Sequence, residues 1–176
     1  YSASKKLHEF LEVLSSAAPN SMIHLVAHSM GADVLSTALT DFGEAKLMAK
    51  YNGKIRTKFN EIILAAPDIR ESDFAIKILP AVKSHHRVTL YASSNDKALI
   101  ESKKANEGVR AGDMGINPVS VDGVQLIDAT KVNNSFVGHT FWAESVVVIR
   151  DLASVLEGKQ PLERGLVPEG THWIFP

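Results

Sequence analysis

The chain has 176 residues, 45 % hydrophobic and 22 % charged, and its 19 basic and 20 acidic residues leave a formal net charge of −1. This length suits a single domain that buries about 70 % of its unfolded surface, and the composition excludes a disordered chain. The charge balance gives no global field for nucleic acid or anionic lipid, and the lack of cysteine excludes disulfides, thiolate metal sites and cysteine nucleophiles.

The longest aliphatic run, Val146-Val147-Val148-Ile149, falls far short of the roughly 20 residues that span a bilayer. Leu7, Phe10, Leu11, Leu14 and Ala18 recur at helical spacing, with Ser2 or Ser4 available as a cap and Pro19-Asn20 as a stop. Ile23-His24-Leu25-Val26-Ala27 reads as a strand, and Val34, Leu35, Ala38, Leu39 and Phe42 as the stripe of a second helix. A strand over 61–66 stops at Pro67-Asp68, and a helix over 72–79 is expected to end near Pro80. A strand over 87–92, a helix over 97–106, a weaker strand over 124–128 and a last long helix over 141–156 follow. The segment 108–122 reads as a long irregular loop, and 159–176, rich in Pro and Gly, as a tail crossing the surface with Trp173, Ile174 and Phe175 docked on the core.

Apolar strands alternating with helices indicate βαβ units: an α/β domain with a mostly parallel sheet of about four strands flanked by helices. Residues 1–158 form that domain and 159–176 its tail. Function in such sheets sits at the carboxyl ends of the strands.

The first strand ends in Ala27-His28-Ser29-Met30-Gly31. This resembles the nucleophile elbow of the α/β-hydrolases, Gly-x-Ser-x-Gly, and it lies between a strand and a helix as that motif requires. Close packing of strand on helix calls for small residues two before and two after the serine; Gly31 fits, and Ala27 adds only a methyl group. The turn sets Ser29 at a helix N-terminus, where the Met30 N–H is an oxyanion-hole donor.

A serine nucleophile needs a base. Of seven histidines, His139 is singled out, since Val137-Gly138-His139-Thr140-Phe141 lies between the fourth strand and the last helix. His8 is expected on an exposed helix face, His24 in the core and His172 in the tail. His28 is read as structural because neighbours in such a turn point apart. His85 and His86 precede a strand at its amino end and lack metal-ligand spacing. Asp96, after the third strand, completes the order Ser29, Asp96, His139; the same residue could simply cap the helix that follows. Asp68 is the alternative acid and Asp128 a weaker one.

These motifs, with Ala65-Ala66-Pro67-Asp68, Leu90-Tyr91-Ala92-Ser93-Ser94-Asn95-Asp96-Lys97-Ala98-Leu99, Ile127-Asp128 and Gly138-His139-Thr140, resemble the bacterial α/β-hydrolase family of unknown function called DUF900. The resemblance implies a fold related to esterases and lipases. It implies that the four strands match the fifth to eighth of the α/β-hydrolase fold, so that the chain reads as the carboxyl-terminal half of the catalytic domain. An exposed edge at the nucleophile strand would then favour self-association.

The expected function, for the full-length parent, is serine hydrolysis of an ester or related acyl bond; the half-domain alone is not required to be active. The substrate is a small-molecule or lipid-like acyl compound, in a pocket lined by Met30, the 108–119 loop and Trp142. No cofactor, metal, nucleic acid or transmembrane segment is expected. The competing readings are a non-catalytic binding or assembly module on the same fold, and an amide or thioester hydrolase using the same triad.

Overall fold

The computed structural model describes residues 2–40, 59–83 and 87–176. The helix α1 (Ser2–Ala17) leads into β1 (Ile23–His28) and α2 (Met30–Thr40). Then come β2 (Phe59–Ala65), α3 (Glu71–Lys83), β3 (Arg87–Ala92), α4 (Lys97–Ala105) and β4 (Val124–Asp128). After a 3-10 turn, Thr130–Val132, the chain forms α5 (Phe141–Glu144), α6 (Val146–Leu156), β5 (Val167–Glu169) and β6 (His172–Ile174). Phe42, His85 and His86 lie outside the described residues.

The sheet has six strands in the order β1-β2-β3-β4-β6-β5, parallel except for β5, which runs antiparallel to β6. The expected count of about four is therefore corrected to six. The tail supplies the two extra strands as a hairpin, and β6 joins the sheet beside β4 through Ile127–Trp173 and Asp128–Ile174. Strands of three residues are too short to show periodicity, and the hairpin is held by contacts distant in sequence. Arg164 Nη1 donates to Asp151 Oδ2 on α6 at 2.8 Å, and Arg164 Nη2 to Gln125 Oε1 on β4 at 3.1 Å. Tyr91 Oη on β3 donates to the same Asp151 oxygen at 2.5 Å. Burial raises the Asp151 carboxyl above its ordinary range, with Tyr91 and Arg164 opposing the shift, while burial and the Asp151 charge push the Tyr91 phenol up.

Alternation along the strands sends side chains to two cores. Ile62, Leu64, Val88, Leu90 and Leu126 pack with Leu11, Leu35 and Leu39 of α1 and α2 and with Phe74 and Ile78 of α3. Ile63, Tyr91 and Ile127 pack on the opposite face with Phe141, Val148, Val155, Leu166 and Phe175. Such parallel strands are apolar throughout because both faces are covered. The exception is β1: every one of its residues keeps some exposure, and Val26 is 44 % exposed.

Two helix boundaries differ from the periodicity. Pro80 lies inside α3, which runs on to Lys83 because Ala81 is buried and Val82 packs on the core, enough to outweigh the lost backbone hydrogen bond. The expected helix over 141–156 is split by Ser145, which is extended and opens α6. His8 is half-buried rather than exposed, with Nδ1 at 3.1 Å from the Ala38 carbonyl of α2.

Candidate active site

The carboxyl ends of β1 to β4 bring forward, in order, Ser29, Asp68, Asp96 and the segment leading to His139. Ser29 is the single residue between β1 and α2, with φ +54, a left-handed conformation that side-chain-bearing residues seldom adopt. The bend is held from both sides. The Ser29 N–H donates to Ala65 O at 3.1 Å, and the Ser29 carbonyl accepts from Ala32 N at 3.0 Å and Asp68 N at 3.2 Å. The Met30 N–H opens α2 and has no intrahelical acceptor, so it points out of the helix start. The Met30 side chain is 70 % exposed.

Asp96 is buried, and its two oxygens have separate tasks. Oδ1 accepts from the Leu99 N–H at 3.0 Å and so caps α4, while Oδ2 accepts from His139 Nδ1 at 2.7 Å. Facing a carboxylate, Nδ1 must carry the proton, which leaves the lone pair of His139 on Nε2.

Asp68 is engaged elsewhere. It accepts from Ser102 Oγ at 2.8 and 2.9 Å, and Arg110 Nε lies 3.2 Å from its Oδ1. Asp128 Oδ1 accepts from Thr130 N at 2.7 Å and starts the 3-10 turn. The structure thus joins Asp96 with His139 and leaves Asp68 and Asp128 in local structural bonds.

The loop before His139 is clamped onto the segment after β3. The Lys97 N–H donates to Val137 O at 2.9 Å, and Asn133 Nδ2 to Gly138 O at 2.7 Å and to Ser93 Oγ at 2.9 Å. Gly138, at φ +78, lies so close that a Cβ there would stand 2.0 Å from Asn95 O. The loop that was expected to line a pocket, 108–119, is mainly core-filling: Ala111, Met114 and Val119 are buried beneath it, and Ile116 alone of its large apolar side chains is fully turned outward. Gly112 makes that possible, since a Cβ would stand 2.7 Å from Ala66 C.

His28, read from the sequence as structural, makes its contacts with His139 and Trp142. Its ring lies 4.4 Å from that of His139 and 5.3 Å from Trp142, and its Nε2 donates to His139 O at 3.0 Å. Burial lowers the His28 pKa below the ordinary value, and the hydrogen bond to His139 O opposes that shift. The signal lay in strand alternation, which puts His24, Val26 and His28 on the face that carries α5. Among the described residues no group of three or more His, Asp or Glu is placed to hold a metal ion, and no helix is long and apolar enough to cross a membrane.

Residues 1–158 match the family described as "Alpha/beta hydrolase of unknown function (DUF900)", and the chain belongs to that family. Among solved structures it is similar to esterase B from Lactobacillus rhamnosis inhibited by a C6-C4 SN3 compound, at 16 % identity and a TM-score of 0.45, covering 88 % of this chain and 60 % of that one. The same esterase inhibited by a C4-C4 SN3 tributyrin phosphonate matches at 16 % identity and a TM-score of 0.45, with 88 % and 59 % covered. The chain therefore spans less than two thirds of the esterase it matches. No curated protein matches it.

Proposed function

We propose that the protein is a serine hydrolase that cleaves an ester or related acyl bond, with Ser29 as nucleophile, His139 as base and Asp96 as the acid that orients the base. The observation that carries this reading is the 2.7 Å bond from His139 Nδ1 to buried Asp96 Oδ2, at the same end of the sheet as a serine held at φ +54. In this mechanism Ser29 Oγ attacks the acyl carbon while His139 Nε2 takes its proton, and the Met30 N–H stabilises the oxyanion. His139 returns the proton to the leaving oxygen, which departs as an alcohol. Water, deprotonated by His139, then releases the carboxylic acid and restores Ser29. Asp96 stays ionised and stabilises the imidazolium through Nδ1. On this reading β1 to β4 correspond to the fifth to eighth strands of the α/β-hydrolase fold, and the substrate is a small or lipid-like acyl compound.

The test is covalent labelling of Ser29 by a fluorophosphonate, together with hydrolysis of a short-chain aryl ester, with Ser29→Ala as control. Labelling and turnover that vanish in the variant support the reading. Equal turnover by both proteins sinks it, and a folded full-length parent protein that neither labels nor turns over any ester is the binding or assembly module. Amide and thioester substrates run in parallel define the bond cleaved. The same reading includes pairing of two copies through the β1 edge, and a single monomeric species in light scattering would count against that part.

A further inference from the structure

We infer that His28 is a positioning residue for the base: its Nε2–H, bonded to the His139 carbonyl oxygen, ties the loop that carries His139 to the strand that ends in Ser29. The inference rests on the serine-hydrolase reading for its purpose, and on separate geometry for its content. Three consecutive carbonyls, of Val137, Gly138 and His139, each accept one hydrogen bond, from Lys97 N, Asn133 Nδ2 and His28 Nε2. Lys97 follows β3 and Asn133 follows β4, so these donors fix the base relative to the acid. The third donor is on β1, one peptide bond from the nucleophile. It fixes the acid and base together relative to Ser29.

The local chemistry suits that task. A carbonyl oxygen only accepts, so His28 must carry its proton on Nε2. Ser29 cannot drift independently, because both its backbone groups are bonded to β2 or the residues just after it. The ring of His28 packs against His139 and Trp142, which limits its rotation. Displacement of a reacting group by about 1 Å can cost roughly 10²-fold, so a tether of this kind has kinetic leverage.

The experiment compares wild type with His28→Gln, His28→Asn and His28→Phe. The amide nitrogen of Gln reaches about as far as Nε2, that of Asn only as far as Nδ1, and Phe keeps the ring without a donor. Two readouts are taken on each folded protein: solvent exchange of the His139 Nδ1 proton by NMR, and the rate of fluorophosphonate labelling. The expected result is near-wild-type behaviour for Gln. For Asn and Phe, the Nδ1 proton exchanges at least several-fold faster and labelling slows about tenfold, at similar melting temperatures for Gln and Asn. Equal exchange in wild type, Gln and Asn overturns the proposal, as does a Gln variant no better than Asn. If Phe fails to fold, the Gln–Asn comparison still decides. A full-length parent protein whose Ser29 does not label refutes the hydrolase reading, while the NMR comparison continues to judge the tether.

Discussion

Gly138→Ala tests how tightly Asp96 and His139 are coupled. A Cβ at this position would stand 2.0 Å from Asn95 O, 2.8 Å from Asn95 C and 3.2 Å from Asp96 Cα. All three are backbone atoms and none can rotate away. Carbon and oxygen settle about 3.3 Å apart, so the two segments must part by roughly 1 Å. The left-handed φ of +78 adds about 1–2 kcal/mol for any residue with a side chain. Overpacking adds about 1–3 kcal/mol, and the expected loss is about 2–5 kcal/mol, or roughly 5–20 °C in melting temperature at this size. The same separation lies directly across the 2.7 Å bond from His139 to Asp96, so labelling of Ser29 by a fluorophosphonate should slow about 100-fold. Gly31→Ala is the contrasting variant. Nothing lies within 4 Å of its Cβ position among the described residues, and in a helix alanine should raise stability by about 0.5–1 kcal/mol. A Gly138→Ala protein with wild-type melting and labelling would refute the close-approach argument.

Three further predictions follow from the same contacts. Asp96→Asn should slow labelling by about 10³–10⁴-fold, whereas Asp68→Asn should cost about 3 kcal/mol by leaving Arg110 buried without its carboxylate, and labelling rates with the opposite pattern would make Asp68 the acid. Arg164→Met removes the partner of Asp151 from a site where the two side chains are 0 % and 3 % exposed; it should cost about 3–5 kcal/mol by thermal melting and open 159–176 to proteolysis, with Asp151→Leu in the same chain recovering most of the loss. His28 has a folded-state pKa below its ordinary 6.5, so its contribution to stability is present above that pH and is lost as pH falls through the folded value. Melting temperatures measured from pH 8 to pH 5 should therefore fall less in His28→Gln than in wild type, and parallel profiles would count against the assignment.

The parts of this fold that were legible in the sequence are those written in local chemistry. Apolar runs such as Ile62-Ile63-Leu64, bounded by turn residues, mark the parallel strands, and the strand–serine–helix order marks the bend at Ser29. Asp96 and His139 could be placed because each follows a strand in a motif with little positional freedom. The parts that were missed depend on contacts between distant segments. The hairpin of β5 and β6 is held by Arg164 reaching α6 and β4, which no window of sequence contains. The helix through Pro80 is decided by packing on the core, which overrides a backbone penalty. Close packing around the bend suggested Gly31 as the crowded glycine, yet among the described residues the glycines with backbone against them are Gly112 and Gly138, in loops whose approach the sequence does not encode locally.

The two readings of Asp96, helix cap and catalytic acid, describe the same carboxylate. One oxygen accepts from the Leu99 N–H and the other from His139 Nδ1, so the carboxylate that orients the His139 ring is also fixed by the start of α4. Anchoring to a backbone amide at a helix N-terminus holds the carboxylate more rigidly than a solvated side chain could be held. This explains why Asn is the informative substitution. Its carbonyl oxygen can keep the cap while its amide, a donor, meets the Nδ1 proton and drives His139 to the tautomer whose Nε2 is protonated and cannot act as a base. Replacement by alanine would remove the cap as well, at about 1 kcal/mol, and mix a folding effect with a chemical one. The fold and the candidate site are joined at this residue, and through Gly138 and His28 the loop that carries His139 is pinned first to Asp96 and then to the strand that ends in Ser29.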